Sequence, residues 1–113
     1  MEAYESYDLD RWCGSFTQDV VVMVPGEAPI EGQESWRSFM ARHFESSTQD
    51  HRYEIKDLTI AGDCAIERHI DASTRHGKRS YWQGMFLLRR QADSSWKIAR
   101  YMLSPYAEVE PSP

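Results

Sequence analysis

Residues Cys64 to Ala72, CAIERHIDA, combine side chains that could take part in acid–base chemistry or bind an anion. Successive side chains of a β-strand point to opposite faces of the sheet. One face of this stretch would therefore carry Glu67, His69 and Asp71, which together form an acid–base set. The other face would be an apolar wall with one cation set into it, made of Cys64, Ile66, Arg68, Ile70 and Ala72.

The alternation also predicts which face is buried. A sheet that covers a core turns its apolar face inwards, so we expect the face that contains Arg68 to point into the protein. A guanidinium cannot lose its charge, and its burial requires an anionic partner or many acceptors. Two interpretations stay open. Arg68 could clamp a ligand that bears a carboxylate or forms an enol. It could instead make a structural ion pair with Glu54 or Asp57, or reach solvent at the edge of the sheet.

The row of Glu67, His69 and Asp71 is then predicted to face solvent or a second copy of the chain. As a metal site it would offer a single histidine, and the other histidines show no ligand spacing. We therefore expect no metal site and no other cofactor.

The composition is that of one globular domain, with 113 residues, 41% hydrophobic and 27% charged. A net charge of -5 argues against nucleic acid as a partner, because phosphate binding needs a basic face. No apolar run approaches the roughly 20 residues of a membrane span, and the acidic first ten residues do not resemble a signal peptide. Cys13 and Cys64 predict free thiols in a reducing cytoplasm, although a disulfide between them stays open.

Two segments have helical periodicity. Residues 8–16 place Leu9, Trp12 and Phe16 on one stripe, and residues 33–44 form a longer amphipathic helix. Strands are predicted over residues 20–24, 52–61, 64–74, 80–90 and 96–103, with a bulge between Ile55 and Leu58 and a hairpin at His76-Gly77. Helices followed by antiparallel strands predict an α+β fold, in which helices cover one face of a curved antiparallel sheet. We expect one domain over residues 1–104 and a C-terminal tail over 105–113.

Three groups of residues, taken in order, resemble a known superfamily. The first is Asp8, Asp10, Phe16 and Asp19 before a Val-rich strand; the second is Pro29, Gly32, Trp36 and Phe39; the third is WKIARYMLS at residues 96–104. They are similar to the nuclear-transport-factor-2-like superfamily, in its SnoaL-like and ketosteroid-isomerase-like branches. The resemblance implies a cone-shaped sheet that wraps helices, with a pocket at the wide end, and in many relatives a dimer through the outer face. The first helix here is predicted to be shorter than in relatives.

The resemblance and the strand phase together predict an aromatic pocket with few polar groups. Its ligand-binding residues would be Tyr4, Trp12, Val24, Phe39, Arg68, Trp82, Phe86 and Tyr101. Such a cavity suits a flat hydrophobic molecule. The alternative is that these aromatic residues only fill the core, which is the favoured interpretation for Trp36, Phe39 and Phe86.

The chain departs from the enzymes that it resembles. Where a ketosteroid isomerase has its carboxylate base this chain has Val24, and where it has an acidic oxyanion donor this chain has Phe86. Epoxide hydrolases of this fold need an aspartate two residues after the arginine, and Ile70 stands there. Valine cannot transfer a proton, so neither mechanism is expected.

Three functions stay open. The first is a protein that binds a small hydrophobic or aromatic ligand, including anionic ones, through a pocket anchored by Arg68. The second is an enzyme of the same fold, an isomerase, lyase or hydrolase on a polyketide-like substrate, with Tyr101 or His43 supplying a proton. The third is a homodimerisation module without a ligand. In each case a homodimer is expected, because Tyr81, Met85 and Leu87 would otherwise leave an exposed apolar patch.

Overall fold

The computed structural model describes residues 9–43 and 49–107. Within these residues two helices, α1 (Leu9–Gly14) and α2 (Gln33–His43), accompany six strands. The strands are β1 (Phe16–Met23), β2 (Ile30–Glu31), β3 (Gln49–Ala61), β4 (Cys64–Arg75), β5 (Lys78–Arg90) and β6 (Trp96–Tyr106). They form one sheet in the order β2-β1-β6-β5-β4-β3. All neighbouring strands are antiparallel except β1 and β6, which are parallel. The predicted α+β fold is confirmed.

Several predicted boundaries are wrong. Strand β1 begins at Phe16 rather than Val20, β3 at Gln49 rather than Arg52 and β5 at Lys78 rather than Ser80, and β2 was not predicted. The first helix ends at Gly14 rather than at Phe16, which opens β1 and pairs with Ile98 of β6. The aromatic side chain of Phe16 could fill the core from the end of a helix or from the start of a strand. Hydrophobic periodicity therefore could not tell whether Phe16 belongs to α1 or to β1. The last strand continues through Pro105 to Tyr106. Proline is tolerated there because β6 pairs only with β5 at this point, its pairing with β1 having ended at Met102. The bulge in β3 is where it was predicted, between Ile55 and Asp57.

The core lies between the two helices and one face of the sheet, which we call the inner face. Phe16, fully buried, contacts Trp12 and Trp36 edge-on, with ring centroids 5.0 and 5.6 Å apart. Trp36 also meets Tyr101 of β6 edge-on, at 6.2 Å. Edge-to-face pairs are favourable beyond the apolar area that they bury. This aromatic cluster therefore fixes α1 and α2 against β1 and β6. Cys13 and Cys64 are both free thiols, so the disulfide that stayed open is not formed.

A two-residue hairpin sets the relation between β4 and β5. His76 and Gly77 both have positive φ, 52° and 76°, which is typical of the turns that match the twist of a β-hairpin. The flanking residues Arg75 and Lys78 pair, and from them the register runs without a shift to Cys64 and Arg89. Directly opposed residues share one face of the sheet, so this register decides which side chains of β4 accompany those of β5.

Gly84 of β5 is needed on the inner face because His69 lies against it. A Cβ at position 84 would stand 2.5 Å from His69 Nε2 and 3.0 Å from a ring carbon of Tyr101. His69 is 2% exposed and is enclosed by other rings, so it has little room to move.

We predict that Gly84→Ala lowers the free energy of unfolding by about 1–3 kcal/mol, the usual cost of overpacking a core. Urea denaturation followed by far-UV circular dichroism measures it. Gly14→Ala is the matched control, because a Cβ at position 14 meets nothing within 4 Å. A Gly84→Ala protein as stable as the wild type would mean that His69 is free to move aside.

Candidate functional site

The β4 row that carries Glu67, His69 and Asp71 faces inwards, opposite to the prediction. His69 is buried at 2% exposure, and Asp71 lines a cavity between the helices and the sheet. Trp82 and Phe86 were correctly predicted on the inner face of β5, and they pair with Asp71 and Glu67. The hairpin register thus places both sets on the same face. The alternation rule failed here because Glu67 accepts a hydrogen bond from Tyr53 of β3, and because rings of the neighbouring strands enclose His69.

Arg68 consequently lies on the outer face, not in the pocket. Its Nε donates a hydrogen bond to Asp57 Oδ2 at 2.9 Å, and its side chain is 50% exposed. Ile66 is also exposed, at 47%. The interpretation of Arg68 as an anion clamp inside the cone is wrong, and its ion pair is with Asp57, one of the two partners considered. An exposed pair of this kind contributes at most about 1 kcal/mol.

The cavity has a volume of about 480 Å³. Seven aromatic side chains line it: Trp12, Trp36, Phe39, Tyr53, Trp82, Phe86 and Tyr101. Polar side chains also reach its wall, namely Glu27, His43, Asp71, Ser73, Arg75 and Ser80. The pocket is therefore apolar on most sides, with polar groups contributed by β4, the start of β5, the end of α2 and the loop after β1.

The predicted site residues are largely brought together. Trp12, Val24, Phe39, Trp82, Phe86 and Tyr101 all line the cavity. Arg68 does not, and Tyr4 lies outside the described residues. Tyr53 and Asp71 were missed. The sequence did contain a signal for Asp71: counting back from the His76-Gly77 turn pairs it with Trp82, which was predicted to face inwards.

A network of three side chains lies beneath the pocket. The Tyr53 hydroxyl donates a hydrogen bond to Glu67 Oε2, and the His69 Nδ1 lies 3.3 Å from the same oxygen, although off the axis of a full hydrogen bond. The His69 ring stacks on Tyr53 with centroids 4.9 Å apart and contacts Phe86 at 4.6 Å. Burial and the Glu67 carboxylate raise the pKa of Tyr53, which keeps its hydroxyl protonated. Burial opposes ionisation of Glu67, but its contacts with His69 and Tyr53 outweigh burial and lower its pKa.

Asp71 is in a different situation from Glu67. Its side chain is 21% exposed, and the Nε2 atom of His51 lies 4.0 Å from Asp71 Oδ2, which is too far for a hydrogen bond. Burial raises the pKa of Asp71, and the attraction of His51 and His69 offsets only part of this effect. Asp71 is thus an ionisable group on the pocket wall that is only weakly compensated by the protein.

Among residues 9–43 and 49–107, no three or more His, Cys, Asp or Glu side chains are grouped so that they could hold a metal ion. No helix in the same residues is long and apolar enough to cross a membrane.

Comparison with known proteins identifies the architecture. Residues 1–101 match the family model of the SnoaL-like domain. A ketosteroid isomerase-like protein from Erwinia carotovora atroseptica superposes with a TM-score of 0.82 at 28% identity, over 95% of this chain and 88% of that one. An NTF2-like protein with a cystatin-like fold from Novosphingobium aromaticivorans gives 0.72 at 16% identity, over 92% and 73%. An NTF2-like protein of unknown function from Pseudomonas putida gives 0.77 at 17% identity, over 96% and 80%. A search of curated proteins finds no significant match.

We predict that Asp71→Asn stabilises the protein at pH 7 relative to wild type, and that the gain disappears at low pH. A raised folded pKa means that Asp71 contributes stability below the unfolded carboxyl pKa, near 3.8, and loses it as the pH rises through the folded pKa. Asparagine removes that loss. Thermal unfolding of both proteins between pH 4 and pH 8 measures the difference in stability. Glu67 is present in both proteins, so its own contribution to the pH dependence cancels in that difference. An Asp71→Asn protein that is less stable at pH 8 would show that the ionised carboxylate is stabilised by the fold.

Proposed function

This chain belongs to the SnoaL-like domain family, and from that premise we propose that its pocket binds a small, largely apolar molecule with an aromatic or other flat body. The observation that carries the proposal is the cavity of about 480 Å³ with seven aromatic side chains on its wall. Ligand pockets in proteins typically have volumes of roughly 300–1,000 Å³, apolar walls and a few polar groups. Aromatic side chains such as Trp82 and Phe39 are only partly buried, so they still have surface to offer a ligand.

Packing elsewhere in the molecule supports a binding cavity over a filled core. Phe16, Val20 and Val22 are fully buried beside the pocket, which indicates that the chain packs closely where it needs to. The pocket instead leaves aromatic surface exposed to water, which a bound apolar ligand would cover. We include a cytoplasmic location in the proposal, on the support of the two free cysteines.

An enzyme of the same fold is the second candidate, and the observation that favours it is Asp71. The positions that the resemblance assigns to catalytic carboxylates hold Val24 and Phe86, and both line the cavity as apolar wall. The carboxyl group with a raised pKa on that wall belongs to Asp71, which lies on β4. A proton transfer in this pocket would therefore use Asp71 rather than those positions.

We further propose a homodimer through the outer face of the sheet. Met85 and Met102 pair directly across β5 and β6, and they are 47% and 54% exposed. Ile66, 47% exposed, lies diagonally beside Met85, because its partner on β5 is Leu87. Large apolar side chains gathered on one exposed face are typical of an interaction surface. A two-fold contact would bury this patch against its own copy.

For ligand binding, we predict that Trp82→Ala weakens the binding of a flat aromatic probe such as tryptophol at least about tenfold, since it removes one wall of the pocket. Isothermal titration calorimetry measures the affinity. Tyr106→Ala is the matched control, because Tyr106 packs against Tyr81 and does not line this cavity. Arg68→Ala should also leave the affinity unchanged. Equal losses in all three variants would indicate general destabilisation instead of a binding site.

For assembly, we predict that wild-type protein is a dimer by analytical ultracentrifugation and that Met85→Glu is a monomer with unchanged circular dichroism. A carboxylate at the centre of an apolar contact cannot be buried without a partner. Ile60→Glu is the control, because Ile60 is 61% exposed on β3, away from the patch. A monomeric wild type at micromolar concentrations would rule out this interface.

A further inference from the structure

We propose that the ligand of this pocket carries a protonated amine, which Asp71 binds between the rings of Tyr53 and Trp82. The inference rests on the proposed function and goes further, because it names the chemical group that the pocket selects. It replaces an anionic ligand, which was expected when Arg68 was placed in the cone, by a cationic one.

The geometry that carries the proposal is a row across three strands. Asp71 of β4 pairs directly with Tyr53 of β3 on one side and with Trp82 of β5 on the other. Directly opposed side chains have Cβ atoms about 5 Å apart and point to the same face. All three line the cavity. A group bound at the Asp71 carboxylate is thus flanked by an aromatic side chain on each side.

Asp71 also lacks the donors that a carboxylate in this position needs. Within residues 9–43 and 49–107, no hydrogen bond to its oxygens is formed, and His51 stays 4.0 Å away. A partly buried carboxylate without donors is unfavourable. An ammonium group has three donors and no acceptor, so it would satisfy Asp71 directly. Glu67 has no such need, because it already accepts a hydrogen bond from Tyr53.

The neighbouring rings suit a cation better than a neutral donor. The faces of Tyr and Trp attract a cation within about 6 Å of the ring centroid. The Tyr53 hydroxyl is already bonded to Glu67 and one face of its ring stacks on His69, so the opposite face of the ring is the part of Tyr53 that a cation would meet. Carboxylate and aromatic faces together form a set of groups that recognises organic ammonium ions.

Arg75, the arginine on the cavity wall, does not reverse the preference for a cationic ligand. Arg75 stands four residues beyond Asp71 on β4, which corresponds to about 13 Å along the strand. It also has a contact within the protein. Glu27 places a second carboxylate on the wall. An anionic group near Asp71 would therefore meet like charge before it met Arg75.

The test uses three ligands that share an indole ring and differ in the terminal group: tryptamine, tryptophol and indoleacetate. Isothermal titration calorimetry of the full chain at pH 7 should show tryptamine binding at least about tenfold more tightly than tryptophol, the usual strength of a hydrogen bond to a charged group. Indoleacetate should bind most weakly. Asp71→Asn should remove the preference for tryptamine over tryptophol, because it removes the charge and keeps the shape of the side chain. Asp57→Asn, which removes the same charge on the outer face, should change nothing.

The outcomes separate this inference from the proposed function. If the three ligands bind equally, or if Asp71→Asn keeps the preference for tryptamine, the pocket binds apolar molecules but the amine site is wrong. If none of the three binds to wild type, the inference and the proposed function both fail. Should Asp71→Asn not fold, the ranking of the three ligands on wild type decides the question alone.

Discussion

The structure depends on one constraint, the two-residue turn at His76 and Gly77. Both residues have left-handed backbone conformations, so two residues are enough to join β4 to β5. This short turn fixes the register of the two strands over the whole length of the hairpin. A slip of one residue would move every side chain of β4 to the other face of the sheet. The placement of Asp71 beside Trp82 in the cavity, and of Arg68 beside Met85 on the outer face, both follow from this turn.

The inner face of β4 shows how polar groups can be buried in an aromatic core. His69 is accommodated because Gly84 opposite has no side chain, and because the rings of Tyr53 and Phe86 enclose it. Glu67 is buried next to the hydroxyl of Tyr53, which compensates part of its desolvation. Asp71 lies four residues closer to the hairpin than Glu67 and has neither advantage. On this strand Glu67 therefore accepts a hydrogen bond that offsets its desolvation, whereas Asp71, on the cavity wall, accepts none from the described part of the chain. This difference is why the proposed ligand contact is assigned to Asp71.

Membership of the SnoaL-like family explains the architecture but not the chemistry. Folds of this type carry unrelated functions, so function has to be argued from the side chains of the individual site. Here two positions that the resemblance connects with catalysis, Val24 and Phe86, form apolar wall. The ionisable side chain beside them is instead Asp71 of β4, a strand whose inner face was predicted to point outwards. The outer face, with its exposed methionines beside Arg68, has no part in the pocket and is the surface proposed for the homodimer.

The sequence by itself determined the α+β class, the helix over residues 33–43, the bulge in β3 and the hairpin turn, because periodicity and turn chemistry are local properties. It also identified six of the side chains that line the cavity, from Trp12 to Tyr101. Alternation along residues 64–72 showed that the two faces of β4 differ, but it could not say which one is buried. Only the tertiary structure decided this, because the cost of burying Glu67 and His69 depends on Tyr53 and Gly84, which other strands supply. For the same reason Arg68, which alternation and the resemblance both placed inside, pairs with Asp57 in solvent.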